Sequence, residues 1–505
     1  MEALLATLPA AGGGAVAAAA AAVGVAAITS VRMDSKKRPN ALPEIPGLPL
    51  IGNLLQLKGT KPHKTFAKWS ETYGPIYTTM LGVAPTLVLN STELVREAMV
   101  DKYSSISTRK LTKAFEVISR DKMMVSMSDY GDFHKMVKRF AMAGFLGPAA
   151  QRQFRDTRMQ MMDNMVNTFR TSAIEEPNAT QDFRKVFRAE LFRLNMLQSF
   201  GEDVSSIYVE ELGREVSATE LCDIMVVDTL LSLAEVDWRD FFPFLSWVPN
   251  KGFEEKVIPS EARRSAVTRA LINLRRKRLE SGEANVCYLD TLLAENTLTE
   301  EELIMMSWEV ILGGTDTTLM TTEWAMFELA KNPEIQDRLY QEIKEVCGDE
   351  TLTEDHLPRL PYLKAVFYET LRRHSPGPIL PPRFIHEDTT LGGYQVAGGT
   401  DVILNIYGCN HDPNEWEKPE QWRPERFLDA SRFDDNYKPI AFGAGKRICG
   451  GMAQATTIAS TSIGRFVQEF TWRLKKGDED NEETAHFVGA RLHPLEVHVS
   501  PRGGR

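Results

Sequence analysis

Cysteine is scarce. The 505 residues hold five (Cys222, Cys287, Cys347, Cys409 and Cys449), odd in number, widely scattered and without a Cys-x-x-Cys pair. That argues against a disulfide framework, and no zinc or dithiol redox motif is present. Basic residues are in deficit, 59 Lys and Arg against 69 Asp and Glu, so the net charge of −10 lacks the surplus expected of a nucleic-acid partner. Hydrophobic residues at 43% and charged residues at 25% exclude both a polytopic membrane protein and a disordered chain.

Charge is missing altogether between Glu2 and Arg32, and Ala15 to Val31 is an almost unbroken run of Ala, Val, Ile and Gly. Spanning a bilayer takes ~20 such residues. The cationic flank Arg32, Lys36, Lys37 and Arg38 stays on the cytosolic side. A plastid transit peptide would be rich in Ser and Arg, whereas one Ser and no Arg precede Arg32. Residues 1–38 are therefore expected to be an N-terminal membrane anchor, in the endoplasmic reticulum or the plastid outer envelope, with residues 39–505 as a cytosolic catalytic domain. Pro39, Pro43, Pro46, Gly47 and Pro49 form a stiff, non-helical connector.

Beyond about residue 60 there is no second linker, low-complexity tract or internal repeat. One large, mainly α domain with small β-sheets is expected. Alternating β-branched runs at Ile76 to Met80 and Thr86 to Leu89 predict a hairpin, as do Tyr394 to Val396 and Val402 to Ile406. Helices are predicted over Phe154 to Phe169, Glu261 to Leu279, Glu300 to Ala330, Pro333 to Val346 and Leu363 to His374. The longest starts at a Thr299-x-x-Glu302 capping box and ends before Asn332-Pro333. Gly313 and Gly314 stand side by side in its middle, where each costs ~1 kcal/mol relative to alanine. Close helix packing is the plain explanation. The Thr315-Asp316-Thr317-Thr318 that follows favours another, a backbone approaching a flat ligand beside groups with polar work to do.

Near the carboxyl end stands Phe442-Gly443-Ala444-Gly445-Lys446-Arg447-Ile448-Cys449-Gly450-Gly451. A lone cysteine is more often an inert small core residue than a ligand. Here Gly445 and Gly451 remove side chains where the loop would lie against something planar. Arg447 offers a permanent cation to a carboxylate, and the helix starting at Gly451 favours a thiolate by its amino-terminal field.

This run resembles the F-x-x-G-x-R-x-C-x-G haem signature of the cytochrome P-450 superfamily at all five fixed positions. Gly313 to Thr318 resembles the family's oxygen-activating motif, Glu369-Thr370-Leu371-Arg372 its E-x-x-R, and Pro424-Glu425-Arg426-Phe427 the segment that completes a buried ion network. The resemblance implies the P-450 fold and haem b (iron protoporphyrin IX) with Cys449 as the metal ligand. Phe442, Gly445 and Gly451 would shape the cofactor site, with Arg447, Arg383, His134 and Lys138 at the propionates. Glu369, Arg372 and Arg426 would form a structural triad. Electrons would come from NADPH through cytochrome P-450 reductase, and Asp316 and Thr317 would guide protons to bound dioxygen. Lys135, Lys138, Arg139 and Lys446 are expected to receive the acidic reductase on the proximal side.

Further stretches resemble the plant ent-kaurene oxidase family, among them Ser104-Ser105-Ile106-Ser107-Thr108-Arg109-Lys110, Asp132 to Arg139, Glu235 to Pro243, Leu292 to Thr299 and Thr321 to Met326. The resemblance implies oxidation of an A-ring methyl of ent-kaurene to ent-kaurenoic acid in gibberellin biosynthesis. The alternative is a diverged hydroxylase of other ent-diterpene olefins in phytoalexin metabolism, because gibberellin-route members carry a larger residue and alanine in place of Gly313 and Gly314. The hydrophobic substrate is expected to meet Met123, Val125, Ile304, Trp308, Leu312, Gly313, Gly314, Ile379, Leu380 and Val488. A haem-binding protein without monooxygenase activity is the alternative of another class, and it would have no need of Asp316 and Thr317.

Overall fold

Strand-forming residues from Ile76 to Leu89 fold into an antiparallel pair, β1 (Ile76–Leu81) and β2 (Ala84–Leu89), with Ile76 opposite Leu89. This is seen in a computed structural model that describes residues 41–284, 286–429, 440–479, 483–484 and 489–503. The expected anchor over 1–38 and the expected pocket residue Val488 lie outside the described residues. Among the described residues no helix is long and apolar enough to cross a membrane.

Of the later strands, five short ones lie near the site: β3 (Thr108–Arg109), β4 (Arg383–Phe384), β5 (Thr389–Leu391), β6 (Tyr394–Val396) and β7 (Asp401–Leu404). The main sheet has the order β1-β2-β7-β4-β3, with β7 parallel to β2 and antiparallel to β4. The second predicted hairpin is corrected here. Tyr394 to Val396 pairs with β5 instead, because Gly392 and Gly393 at φ +57° and +78° close a two-residue turn that only glycine accommodates freely. The strand from Asp401 is then free to bury Val402 and Leu404 beside β2.

Six helices build or support the site: α1 (Asp132–Ala141), α2 (Phe183–Phe200), α3 (Lys251–Glu280), α4 (Glu300–Lys331), α5 (Pro361–Arg373) and α6 (Met452–Glu469). The α3 helix starts ten residues before the predicted Glu261 and runs through Pro259, since the Asn250 side chain caps the Phe253 amide and Phe253 and Val257 are buried. At α4 the capping box is reciprocal. The Thr299 amide donates to Glu302 Oε2 at 2.8 Å and the Glu302 amide to Thr299 Oγ1 at 3.2 Å. The α4 helix packs on α2, α3, α5 and α6. From Leu303 to Ala330 every residue is buried except Glu309, Val310, Gly313, Gly314 and Thr317. At about 100° per residue these five share one side of the helix, which therefore opens onto a space inside the protein.

Candidate functional site

The loop before α6 is drawn tight by the Cys449 amide, which donates to the Phe442 carbonyl at 2.9 Å. Phe442 itself packs against Phe367, Leu371 and Ala459. Gly445 has φ +63°, and a Cβ there would come within 2.5 Å of the Met99 carbonyl oxygen. That backbone by itself requires glycine at this position, a reason the motif did not disclose. At Gly451 a Cβ would make ordinary contacts, 3.8 Å to Leu146 and 3.9 Å to Cys449 Sγ, so this glycine leaves space. Cys449 is exposed, yet the protein packed around it still pushes its thiol up by desolvation. The Gly451 amide, the Lys138 charge and the Met452 amide pull in the other direction. The helix field thus acts as expected but is outweighed. A bound metal cation is what would deprotonate such a thiol outright.

On the open side of α4, Thr317 Oγ1 donates to the Gly313 carbonyl at 2.7 Å. A Cβ at Gly313 would meet nothing within 4 Å, whereas one at Gly314 would lie 3.1 Å from Asn195 Oδ1 of α2. The two glycines are therefore not equivalent, and Gly314 borders a neighbouring helix rather than the pocket. Gly313→Ala is expected to keep or slightly raise stability while changing the product profile. Gly314→Ala is expected to lower stability by about 1 kcal/mol, because Asn195 must shift within a packed interior. Thermal inactivation and product analysis of both variants check this. Equal effects would contradict the geometry.

Other helix positions require correction. Ile304 lies about 180° round from Gly313 and is fully buried in the core. Trp308 points the same way, its Nε1 donating to the Met225 carbonyl at 2.8 Å and its ring lying under Arg264 at 3.7 Å. Leu312 is buried in the same core cluster. Asp316 is buried and bound to Arg188 of α2 by two hydrogen bonds of 3.1 Å. Burial raises its carboxyl and Arg188 partly restores it. Asp316 and Thr317 are thus not brought together, since only Thr317 lies on the open side. Met123 and Val125 are half-buried in the loop before α1. Leu380 packs beside the thiol loop, its Cδ1 3.8 Å from where a Gly443 Cβ would stand. Ile379 instead joins Ile45, Phe66 and Tyr77 in a separate cluster.

Three arginines converge beside this space. Pairing of β3 with β4 sets Arg109 directly opposite Arg383, and Arg447 joins them from the thiol loop. Burial lowers all three, and mutual repulsion lowers Arg109 and Arg383 further, Arg383 down to about 10. His134 Nδ1 lies 3.0 Å from Arg447 Nη1 and 3.0 Å from Ser128 Oγ. A guanidinium can only donate, so the ring proton sits on Nε2. Burial and the Arg447 charge bring His134 down to about 4, keeping it neutral near pH 7. Arg109 was missed in the sequence, where it stands within the Ser104 to Lys110 stretch but nothing local announces that β4 will bring Arg383 to it. Lys138 is corrected in turn. Its Nζ donates to the Lys446 carbonyl at 3.1 Å, on the outer face. There Lys135, Lys138, Arg139 and Lys446 come together with Tyr130, His134 and Met142 around a groove of about 320 Å³.

The Glu369 and Arg372 side chains are fully buried on α5 and paired by two 2.8 Å hydrogen bonds. Arg426 Nε approaches Glu369 at 3.3 Å, and the Arg423 amide donates to the same oxygen at 2.8 Å. Arg372 also donates to the Asn410 and Gln421 carbonyls. This satisfied network ties α5 to the segment that leads into the thiol loop.

Comparison with known proteins agrees with this arrangement. The family model described as cytochrome P-450 matches residues 42–499. The chain is a cytochrome P-450. It is 60% identical over 470 residues to ent-kaurene oxidase 2 of Oryza sativa subsp. japonica, covering 93% of each chain. Identity is 54% over 468 residues to the ent-sandaracopimaradiene 3-hydroxylase of the same species, covering 92% of each. A solved zebra fish cytochrome P-450 structure with progesterone shares the fold at a TM-score of 0.73 and 23% identity, covering 87% of this chain and 99% of that one.

Haem, on which cytochromes P-450 depend, fits what the residues leave open. Arg383 Nε, Arg447 Nε and His134 Nε2 are buried donors without a hydrogen-bond partner, and they stand in a cationic cluster suited to a ligand with two carboxylates. Cys449 would hold the iron, with Arg383, Arg447, His134 and the unforeseen Arg109 around the propionates. Bound haem supplies activation of dioxygen for insertion of one oxygen atom into a carbon–hydrogen bond.

Proposed function

We propose that this enzyme oxidises ent-kaurene to ent-kaurenoic acid, drawing electrons from NADPH through cytochrome P-450 reductase docked on the basic groove. The carrying observation is the open side of α4, where Val310, Gly313 and Thr317 offer a hydrocarbon shape but hardly a polar handle. Glu309, also on that side, is engaged by the loop at Val125 and Ser126. Orientation of the substrate then rests on fit alone. Thr317 Oγ1, whose hydroxyl donates to the Gly313 carbonyl, turns that proton towards the reacting oxygen and is reprotonated from water, while Asp316 stays hydrogen-bonded to Arg188.

One observation favours the second reading, a hydroxylase of other ent-diterpene olefins. The missing Cβ at Gly313 leaves open space, and relatives at similar identity carry both kinds of name. Membranes bearing the protein and a reductase, given ent-kaurene and ent-sandaracopimaradiene separately, decide between the two. Conversion of ent-kaurene through to the acid supports the first reading, and oxidation of the tricyclic olefin alone supports the second.

Thr317→Ala is expected to retain haem while product per NADPH falls about tenfold or more and peroxide rises, since general-acid groups contribute ~10²–10⁴-fold. Unchanged coupling would remove Thr317 from the proton route.

A further inference from the structure

The loop between Ser119 and Asp132 is held by a carboxylate that the family motifs do not include. Glu309 lies one turn before Gly313 on the open side of α4. Its Oε2 accepts from the Val125 amide at 2.6 Å, and its Oε1 from the Ser126 amide at 2.9 Å and the Ser126 hydroxyl at 2.7 Å. It makes no ion pair with any described residue. Burial raises its carboxyl against those three donors. The carbonyls of the same two residues face the other way. Arg109 Nε donates to Ser126 O at 2.9 Å, and Arg447 Nη1 to Val125 O at 3.4 Å. Arg447 also donates to Ser128 O at 2.5 Å.

Two adjacent residues are thus strung between the central helix and the arginine cluster, and the peptide unit joining Val125 to Ser126 is held on both sides. The chain enters them through Arg120, Asp121 and Lys122, with φ of +47°, +53° and +75°. Three successive non-glycine residues in the left-handed region persist only where surrounding contacts over-determine them.

We propose that Glu309 is a positioning residue that, through the Val125 and Ser126 peptides, holds this loop as a wall of the substrate cavity and aims Arg109 and Arg447 at the haem carboxylates. It is not a catalytic residue. The carboxylate fixes the amides of Val125 and Ser126, and the carbonyls of the same two residues accept from the guanidinium groups. A carboxylate suits the task because each oxygen takes a separate amide, whereas a carboxamide would set its own N–H₂ against one of them. This role is the same whichever diterpene occupies the cavity.

The test uses the full chain loaded with haem, comparing Glu309→Ala, Glu309→Gln and Ser126→Ala with the parent. Hydrogen exchange at the Val125 and Ser126 amides is expected to quicken about tenfold or more in Glu309→Ala, with Glu309→Gln intermediate and Ser126→Ala least affected. Spectral titration with imidazole and 4-phenylimidazole gives a second readout that needs no natural substrate. Affinity for the small azole should stay near the parent value, while the bulky one changes at least about fivefold as the wall moves. A residue that only stabilised the fold would alter haem retention and leave the ratio of the two azoles unchanged. Parent-like exchange at residues 125 and 126 together with a parent-like azole ratio in Glu309→Ala and Glu309→Gln overturns the proposal. Should Glu309→Ala fail to accumulate, the same outcome in Glu309→Gln and Ser126→Ala overturns it.

Discussion

Cys449→Ser is expected to abolish the thiolate-type absorption of the reduced protein with carbon monoxide and to reduce turnover below detection. Serine keeps the size of the side chain and the Cys449 amide bond to Phe442, so the loop survives. What is lost is a soft, electron-rich ligand, which a hydroxyl oxygen does not replace. The loss is separable from unfolding, because the arginine cluster and the α5 ion network make no use of the sulfur. Circular dichroism should match the parent while the carbon-monoxide spectrum does not. An unaltered spectrum would show that another residue ligates the iron.

Arg372→Met is expected to cost ~3–5 kcal/mol of stability, more than either glycine substitution on α4, because it strands the buried Glu369 carboxylate. Two hydrogen bonds of 2.8 Å to Glu369 disappear, and the Asn410 and Gln421 carbonyls lose a donor. The Arg423 amide and Arg426 remain on one oxygen of Glu369 and leave the other without a partner. Methionine fills the volume, so packing loss is small beside the electrostatic cost. The expected signs are a sharply lowered temperature of half-inactivation and poor haem retention. Arg423→Ala is the control. Its side chain makes an exposed pair with Glu417 at 3.3 Å, and its amide, which carries the contact to Glu369, is untouched. It should cost less than about 1 kcal/mol. Similar losses in the two variants would mean that α5 is held by packing and not by this network.

Much of the site was legible in the chain because its parts are local. The Cys449 loop, the Thr317 bond to its own helix and the Glu369–Arg372 pair each lie within one turn or one loop, where spacing alone decides proximity. Helix limits at Glu300 and Pro333 followed from a capping box and a proline, whereas the helix expected from Leu363 starts two residues earlier, at Pro361. The errors share a different origin. Ile304 and Trp308 carry the right composition for a hydrocarbon pocket, but composition does not say which side of a buried helix opens on a cavity when nearly all sides are apolar. Gly313 and Gly314 look alike as a pair and differ only because Asn195 of another helix stands over one of them.

By itself the sequence determined the chemistry: a cysteine, an arginine and glycines at fixed spacing in one loop, and a polar break in one long helix. Tertiary structure alone decided which groups those elements face. Arg109 meets Arg383 through a strand pairing across more than 270 residues, Asp316 is claimed by Arg188 of α2, and Glu309 reaches a loop more than 180 residues earlier. The physical reason is that a motif encodes its own turn of backbone, whereas the partner of a buried charge is chosen by whichever donor the packed elements bring within hydrogen-bonding distance.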